Sequence, residues 1–176
     1  MGKNGIVIWK RANGIDTTPV VPYSEEKSMS KEKTYESDTM DMELLNRTIH
    51  RMVEKLAFKL RKNQKLASVV TVKIRYANYD THTLQRKVPY TSSDHILLQT
   101  AKELFGKLYT RRMLVRLIGV KFSGLVGGVQ QLSLFDNSEK QVKLYLSMDR
   151  IRLRYGSGSI MRATCMDYKP DNVLCT

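Results

Sequence analysis

The residue types that usually carry chemistry are present in this chain, but their spacing keeps them apart. Cys165 and Cys175 have nine residues between them and sit in no CxxC or Cys/His ligand spacing. They read as ordinary reduced thiols. His50, His82 and His95 fall on a helix, a turn and a helix start, so no shared metal site is expected. Two-metal phosphoryl chemistry needs carboxylates clustered around ions about 3.5–4 Å apart. Asp38, Asp41, Asp80 and Asp94 fall instead at predicted helix caps and turns, where capping accounts for them. Gly124, Gly127 and Gly128 lack the following Lys-Ser or Lys-Thr of a phosphate loop. No Ser or Cys nucleophile has a plausible His partner. The expectation is a non-catalytic chain with no cofactor of its own.

Charge is the informative quantity. Thirty Lys and Arg against seventeen Asp and Glu give +13 and a pI near 9.8, an excess that attracts polyanions. No apolar run approaches the ~20 residues of a membrane helix, and the short stretch Ile6 to Trp9 is no secretory signal. A cytoplasmic, monomeric protein is expected.

The elements that must position these charges follow from periodicity. Residues 1–16 hold an amphipathic fragment without a helix cap, and 17–26, with Pro19 and Pro22, read as an extended linker. Lys27 to Tyr35 alternates basic and small polar residues, which suits a strand with one wet face. Asp38 or Thr39 is expected to cap a helix reaching about Lys62, with Leu45, Ile49, Met52, Leu56 and Leu60 on one stripe. Residues 69–76 place Val70, Val72, Ile74 and Tyr76 on one face and Thr71, Lys73 and Arg75 on the other.

A turn at 77–82 leads to a partner strand at 83–90, whose polar face carries Thr83, Gln85 and Lys87 while Arg86 breaks the pattern. Ser93 and Asp94 open a helix over about 94–109, with Leu97, Ala101, Leu104, Phe105 and Leu108 as its stripe. Residues 115–126 form a last strand, in which Arg116 and Lys121 can share a face only if Gly119 marks a bulge. Tyr76, Tyr79 and Tyr90 are read as packing residues rather than base-stacking ones.

The order βαββαβ predicts an α+β fold: a four-stranded antiparallel sheet with two helices on one face. Its free face would be basic. Residues 127–138 then form a flexible loop containing Gln131, Leu132, Leu134 and Phe135. A helix from Glu139 to Tyr155, with Val142, Leu146 and Ile151 as apolar positions, ends at Gly156 and Gly158, and 159–166 add a short strand or extended tail.

Four segments in order resemble the Y-family DNA polymerases of the DNA polymerase IV type. Residues 2–16, GKNGIVIWKRANGID, are similar to the end of that family's thumb domain, and Lys27 to Tyr35, KSMSKEKTY, to the strand that opens its little-finger domain. Arg116 to Ser123, RLIGVKFS, is similar to the last little-finger strand, with Lys121 where arginine is usual. Gln131 to Phe135, QLSLF, is similar to the peptide by which bacterial proteins grip the β sliding clamp.

The resemblance implies a truncated thumb at 1–16, a little finger at 27–126, a clamp-binding loop at 127–138 and an appended helix and tail at 139–176. It implies primer–template DNA and the β sliding clamp as partners. Phosphate contacts would come from Lys27, Ser28, Ser30, Lys31, Arg116 and Lys121, to which the strand pattern adds Lys73 and Arg75. Gln131, Leu132, Leu134 and Phe135 would enter the clamp. The parent would be a DNA-directed polymerase whose catalytic palm, with its Mg2+, precedes residue 1, so this fragment alone would not polymerise. The alternative is an RNA-binding or ribosome-associated α/β sandwich, which would carry aromatic residues on the middle strands.

Overall fold

The structure is a computed structural model that describes residues 2–20, 25–110, 112–128 and 138–165. Helix α1 covers Gly2–Ala12 and exposes Ile6, Val7, Ile8 and Trp9. The sheet is built from β1 (Ser28–Thr39), β2 (Lys65–Tyr76), β3 (Thr81–Thr91) and β4 (Val115–Ser123), with helices α2 (Met42–Lys62) and α3 (Asp94–Leu108) between them. The two-residue β5 (Val126–Gly127) pairs with the start of β2. Strand order is β1-β4-β2-β3 and every neighbouring pair is antiparallel. This is the expected α+β architecture.

Both central strands, β2 and β4, turn most of their apolar residues to the helices. Val70, Val72, Ile74 and Tyr76 meet Ile118, Val120 and Phe122 there, under Leu45, Ile49, Met52, Leu56 and Leu60 of α2 and Leu97, Ala101, Leu104 and Phe105 of α3. All are almost wholly buried. Burial of that size, at about 25 cal/mol per Å2 of apolar surface, is the main force holding the two layers together.

Three local expectations are corrected. The first strand runs on to Thr39, so α2 begins at Met42 and its cap is Asp41, whose carboxylate accepts from the amides of Glu43 and Leu44 at 2.9 and 3.2 Å. Asp38 and Thr39 therefore belong to the strand. Ser93 stands at the N-cap of α3, but its side chain makes no capping bond. The irregularity in β4 lies at Arg116, not Gly119: Leu117 pairs with Arg75 and Val115 with Tyr76, which leaves Arg116 as the extra residue.

The C-terminal helix α4 (Ser138–Tyr155) does not dock through its apolar positions. Leu146 and Ile151 are exposed, and the buried positions are Tyr145, Asp149 and Arg152. The reason is an ion network that α4 completes. Arg61 of α2 donates from Nε and Nη2 to the Asp149 carboxylate at 2.6 and 3.0 Å, and from Nη1 to Asp94 at 2.5 Å and the Ser92 carbonyl at 2.8 Å. Burial alone would lower the pKa of that guanidinium, but Asp149 and Asp94 raise it instead. Arg152 lies 3.8 Å from both Glu54 and Asp149.

Gly156, at φ +96°, lets the chain turn back after α4. The segment that follows is a 3-10 turn, Ala163–Cys165, rather than a strand. It delivers Arg162 to Glu54 at 3.0 Å and to Asp94 at 3.8 Å. Three arginines thus interlock with three carboxylates drawn from α2, α3, α4 and the tail. Removing one member leaves buried charge uncompensated, so Arg61→Ala is expected to cost about 3–5 kcal/mol in a urea unfolding series. A loss below about 1 kcal/mol would show that Arg152 and Arg162 hold the carboxylates without it.

Candidate nucleic-acid interface

The helices cover one side of the sheet, and the register fixes what the other side presents. Four cross-strand rows run from β1 through β4 and β2 to β3: Ser28, Ser123, Val69, Lys87; Ser30, Lys121, Thr71, Gln85; Glu32, Gly119, Lys73, Thr83; and Thr34, Leu117, Arg75, Thr81. Four cations and one anion occupy these rows. Lys87 and Lys121 are exposed, while Lys73 and Arg75 are partly covered. No aromatic side chain stands on this face of either central strand.

Two of the cations already have partners. Lys73 donates to both carboxylate oxygens of Glu32 at 3.0 and 3.2 Å, across the central strand that separates them. Gly119 makes this possible, since a Cβ there would lie 2.8 Å from Glu32 Cγ. Arg75 donates from Nε to Thr81 Oγ1 at 2.9 Å, which orients its guanidinium along the face. This intra-sheet pairing was not foreseen from the sequence, although a glycine between Glu32 and Lys73 in the register is its signature.

The expected contact residues divide accordingly. Ser28, Ser30, Lys73, Arg75 and Lys121 come together on the helix-free face, and Lys27 is exposed one residue ahead of it. Arg116 is carried by its bulge to the end of the sheet, where it lies 4.8 Å over the Tyr79 ring and 4.0 Å from Asp38. Lys31 does not join them. Its row runs through Val120 and Val72, so it stands on the helix side of edge strand β1. Arg86 is likewise on the helix side of the other edge strand, paired with Glu103 of α3, whose carboxyl this contact lowers. Gln131, Leu132, Leu134 and Phe135 lie outside the described residues.

Of the tyrosines, Tyr76 is buried and donates to the Leu108 carbonyl at 3.2 Å. Tyr79 and Tyr90 are exposed.

One cluster of titratable groups does form, contrary to the scattered reading of the cysteines and histidines. His50, Glu54 and Cys165 bring their reactive atoms within 4.8 Å of one another where the tail meets α2. Arg51 Nε donates to the Cys165 carbonyl at 2.7 Å, His50 Nδ1 lies 3.1 Å from Thr164 Oγ1, and Glu54 is held by Arg162. Burial, then the charges of Lys102 and Arg162, push the His50 imidazole down to about 4. Burial raises the Glu54 carboxyl. The cluster is the underside of the docked tail.

Comparison with known proteins places these observations. A family model described as the impB/mucB/samB family C-terminal domain matches residues 26–134. A protein named DNA polymerase IV from Dehalococcoides mccartyi is 40% identical over 151 residues, covering 85% of this chain and 39% of its own length. Another of that name from Clostridium acetobutylicum is 31% identical over 169 residues, covering 93% and 42%. The chain therefore spans about two fifths of the length of the curated relatives it matches. A solved structure described as a complex of beta-clamp processivity factor and little finger domain of PolIV aligns with TM-score 0.47 and 21% identity, over 62% of this chain and 99% of the other.

Docking of the tail should depend on pH through His50. An undocked imidazole takes up a proton near its usual 6.5, whereas the docked one resists until about 4, so docking weakens as pH falls through that window. Glu54 acts in the opposite sense, because its raised carboxyl protonates more readily when docked. In a Cys175→Ser background, Cys165 is expected to react with dithiodipyridine faster at about pH 4.5 than at about pH 7, after correction for reagent chemistry. His50→Gln should flatten that profile, and identical profiles for the two proteins would refute the assignment.

Proposed function

We propose, on the premise that this chain belongs to the impB/mucB/samB family and carries its C-terminal domain, that it is the little finger of an error-prone DNA polymerase. It holds primer–template DNA through the phosphate backbone and tethers the enzyme to the sliding clamp. The observation that carries the reading is the helix-free sheet face, where Lys87, Lys121, Lys73 and Arg75 alternate with Ser28, Ser30, Thr71, Thr83 and Gln85 and no aromatic group interrupts them on the central strands.

Such a surface suits phosphate rather than bases. Lysines act as point charges that tolerate any register, and hydroxyls and exposed amides add contacts that carry no sequence information. An RNA module of similar layout would instead offer aromatic platforms on the two middle strands. A polymerase that follows any template needs the first property, and the relatives' name, DNA polymerase IV, agrees with it. Lys27 and Arg116 would extend the contact at the two ends of the face. The polymerase activity and its Mg2+ would belong to the part of such a relative that this chain does not span.

The clamp tether rests on the sequence of Gln131, Leu132, Leu134 and Phe135. An extended segment of this type would seat Gln131 in a polar subsite and Leu134 and Phe135 in an apolar one, with Leu132 between them. Leu134→Ala/Phe135→Ala should abolish co-elution with a bacterial sliding clamp while leaving DNA binding intact. Retained co-elution would remove the tether from the reading.

Anisotropy of labelled primer–template DNA across a salt series tests the main claim. Log affinity should fall linearly with log salt, each phosphate contact contributing about 0.9 to the slope. Lys87→Glu/Lys121→Glu should weaken binding on the order of a hundredfold and reduce the slope by about 2. Glu32→Gln should act the other way, because it releases Lys73 to the phosphates and should raise the slope by up to about 0.9. Tighter binding to double-stranded RNA, or indifference to the reversal on the sheet, would transfer the function to the RNA reading.

A further inference from the structure

The helix side of β1 departs from the pattern of a core-facing strand. Its inward positions are Met29, Lys31, Lys33 and Tyr35; the outer two are buried and the two lysines between them are exposed. Their rows continue into Val120 and Val72, and into Ile118 and Ile74, so apolar residues would have fitted there. Opposite them, α2 presents Arg47, Arg51 and Lys55 at four-residue spacing. The two rows face each other across a groove of about 320 Å3 whose floor is formed by Leu44, Thr48 and Met52.

Each row taken singly has an ordinary explanation. Inward lysines on an edge strand discourage association with another sheet, and a basic stripe on a helix is commonly a solvated surface. Neither explains why five cations converge on one depression. Glu32, the acidic residue among those that line the groove, sends its carboxylate to Lys73 on the other side of the sheet.

We propose that this groove between β1 and α2 binds single-stranded DNA through its phosphates, as a second nucleic-acid track on the side of the sheet away from the duplex face. Its geometry selects one strand. Cations repeat every ~6 Å along the helix and ~6.6 Å along the strand, close to two steps of a stacked strand at about 3.4 Å per phosphate. A depression between a helix and a strand packed against it is too narrow for a duplex, whose major groove alone is about 12 Å wide. None of the groove's lining residues is aromatic and Tyr35, next along β1, is buried, so the track offers charge without a stacking platform and should be indifferent to sequence.

Arg47 and Arg51 have contacts within the protein, Arg51 through the Cys165 carbonyl, so Lys31, Lys33 and Lys55 are the principal contacts. β1 is common to both surfaces: its outward serines meet the duplex face and its inward lysines line the groove. Duplex and single strand can therefore be held at the same time, one on each side of an edge strand. The inference goes beyond the duplex-binding reading and does not require it.

The test compares the intact chain with two variants, Lys31→Glu/Lys55→Glu in the groove and Lys87→Glu/Lys121→Glu on the sheet face. Each is titrated into labelled oligothymidylate of about twenty nucleotides, a length that exceeds one single-strand site, and into a blunt duplex of equal length. The groove variant should lose on the order of tenfold in single-strand affinity, lower the single-strand salt slope by about 1.4, and leave duplex affinity within about twofold. Lys31→Arg/Lys55→Arg should retain single-strand binding, which excludes a folding defect. Equal loss on both ligands, loss on neither, or loss of single-strand binding in the sheet variant alone would each overturn the groove. Failure of the duplex arm alone would count against the sheet face and leave the groove standing.

Discussion

Arg61 is the point at which separate parts of this chain become one body. It sits near the end of α2, and its fork satisfies Asp149 from α4 and Asp94 from α3 while its Nη1 also reaches the Ser92 carbonyl. Such a geometry is available only to arginine, since lysine cannot address two carboxylates and a carbonyl from one planar group. Around it Arg152 and Arg162 stand within 3.0–3.8 Å of Glu54, Asp94 and Asp149 and balance their charge. The side chains in this network are mostly buried, so it is maintained by mutual pairing rather than by solvent. It also dictates which side of α4 faces inward, and therefore leaves Leu144, Leu146, Ile151 and Leu153 outward.

The sheet solves a different problem with the same charges. A four-stranded layer packed on one face turns every second residue to the other, and here most of those positions are small, hydroxylated or basic, with Val69, Leu117, Glu32 and Gln85 as the exceptions. Pairing Lys73 with Glu32 over Gly119 reduces the repulsion that closely spaced cations would otherwise impose on the free protein. The same pairing leaves a cation that can exchange a carboxylate for a phosphate. The surface is thereby stable when empty and still complementary to a polyanion.

Periodicity made much of this legible. The α2 stripe from Leu45 to Leu60, the β2 alternation from Val70 to Tyr76 and the pair of crossovers follow from which residues must leave water, and burial is what the fold obeys most strictly. What periodicity cannot read is partnership between segments distant in sequence. The resemblance implies Lys31 as a phosphate contact of the sheet, whereas the β1 register turns it to the helix side. Leu146 and Ile151 are apolar positions of α4 yet lie outward, because an ionic contact outranks an apolar one when arginines and carboxylates from other segments converge. Neither Arg61 nor Asp149 differs, as a residue in a string, from a solvated one. The bulge is a similar case: Gly119 was the residue whose type suggested irregularity, yet its absent side chain makes room for Glu32, and the extra residue is Arg116.

The two kinds of cation are divided between these tasks in a way that geometry explains. Arg61, Arg152 and Arg162 stand in the interior, where a rigid planar fork matches fixed carboxylates and the orientation of each donor matters. Lys31, Lys33, Lys55, Lys87 and Lys121 stand at the surface, where a flexible stem and a compact charge would suit a ligand whose register changes. The arginines on or beside the sheet face are restrained, Arg75 by Thr81 and Arg116 by the Tyr79 ring. Lysine in the network would leave carboxylates unsatisfied, and arginine in place of Lys87 or Lys121 would give the sheet face directional donors where it now has point charges. On the duplex-binding reading proposed above, a surface that would hold any sequence at any step is better served by charge without direction, provided that the interior supplies the rigidity the surface lacks.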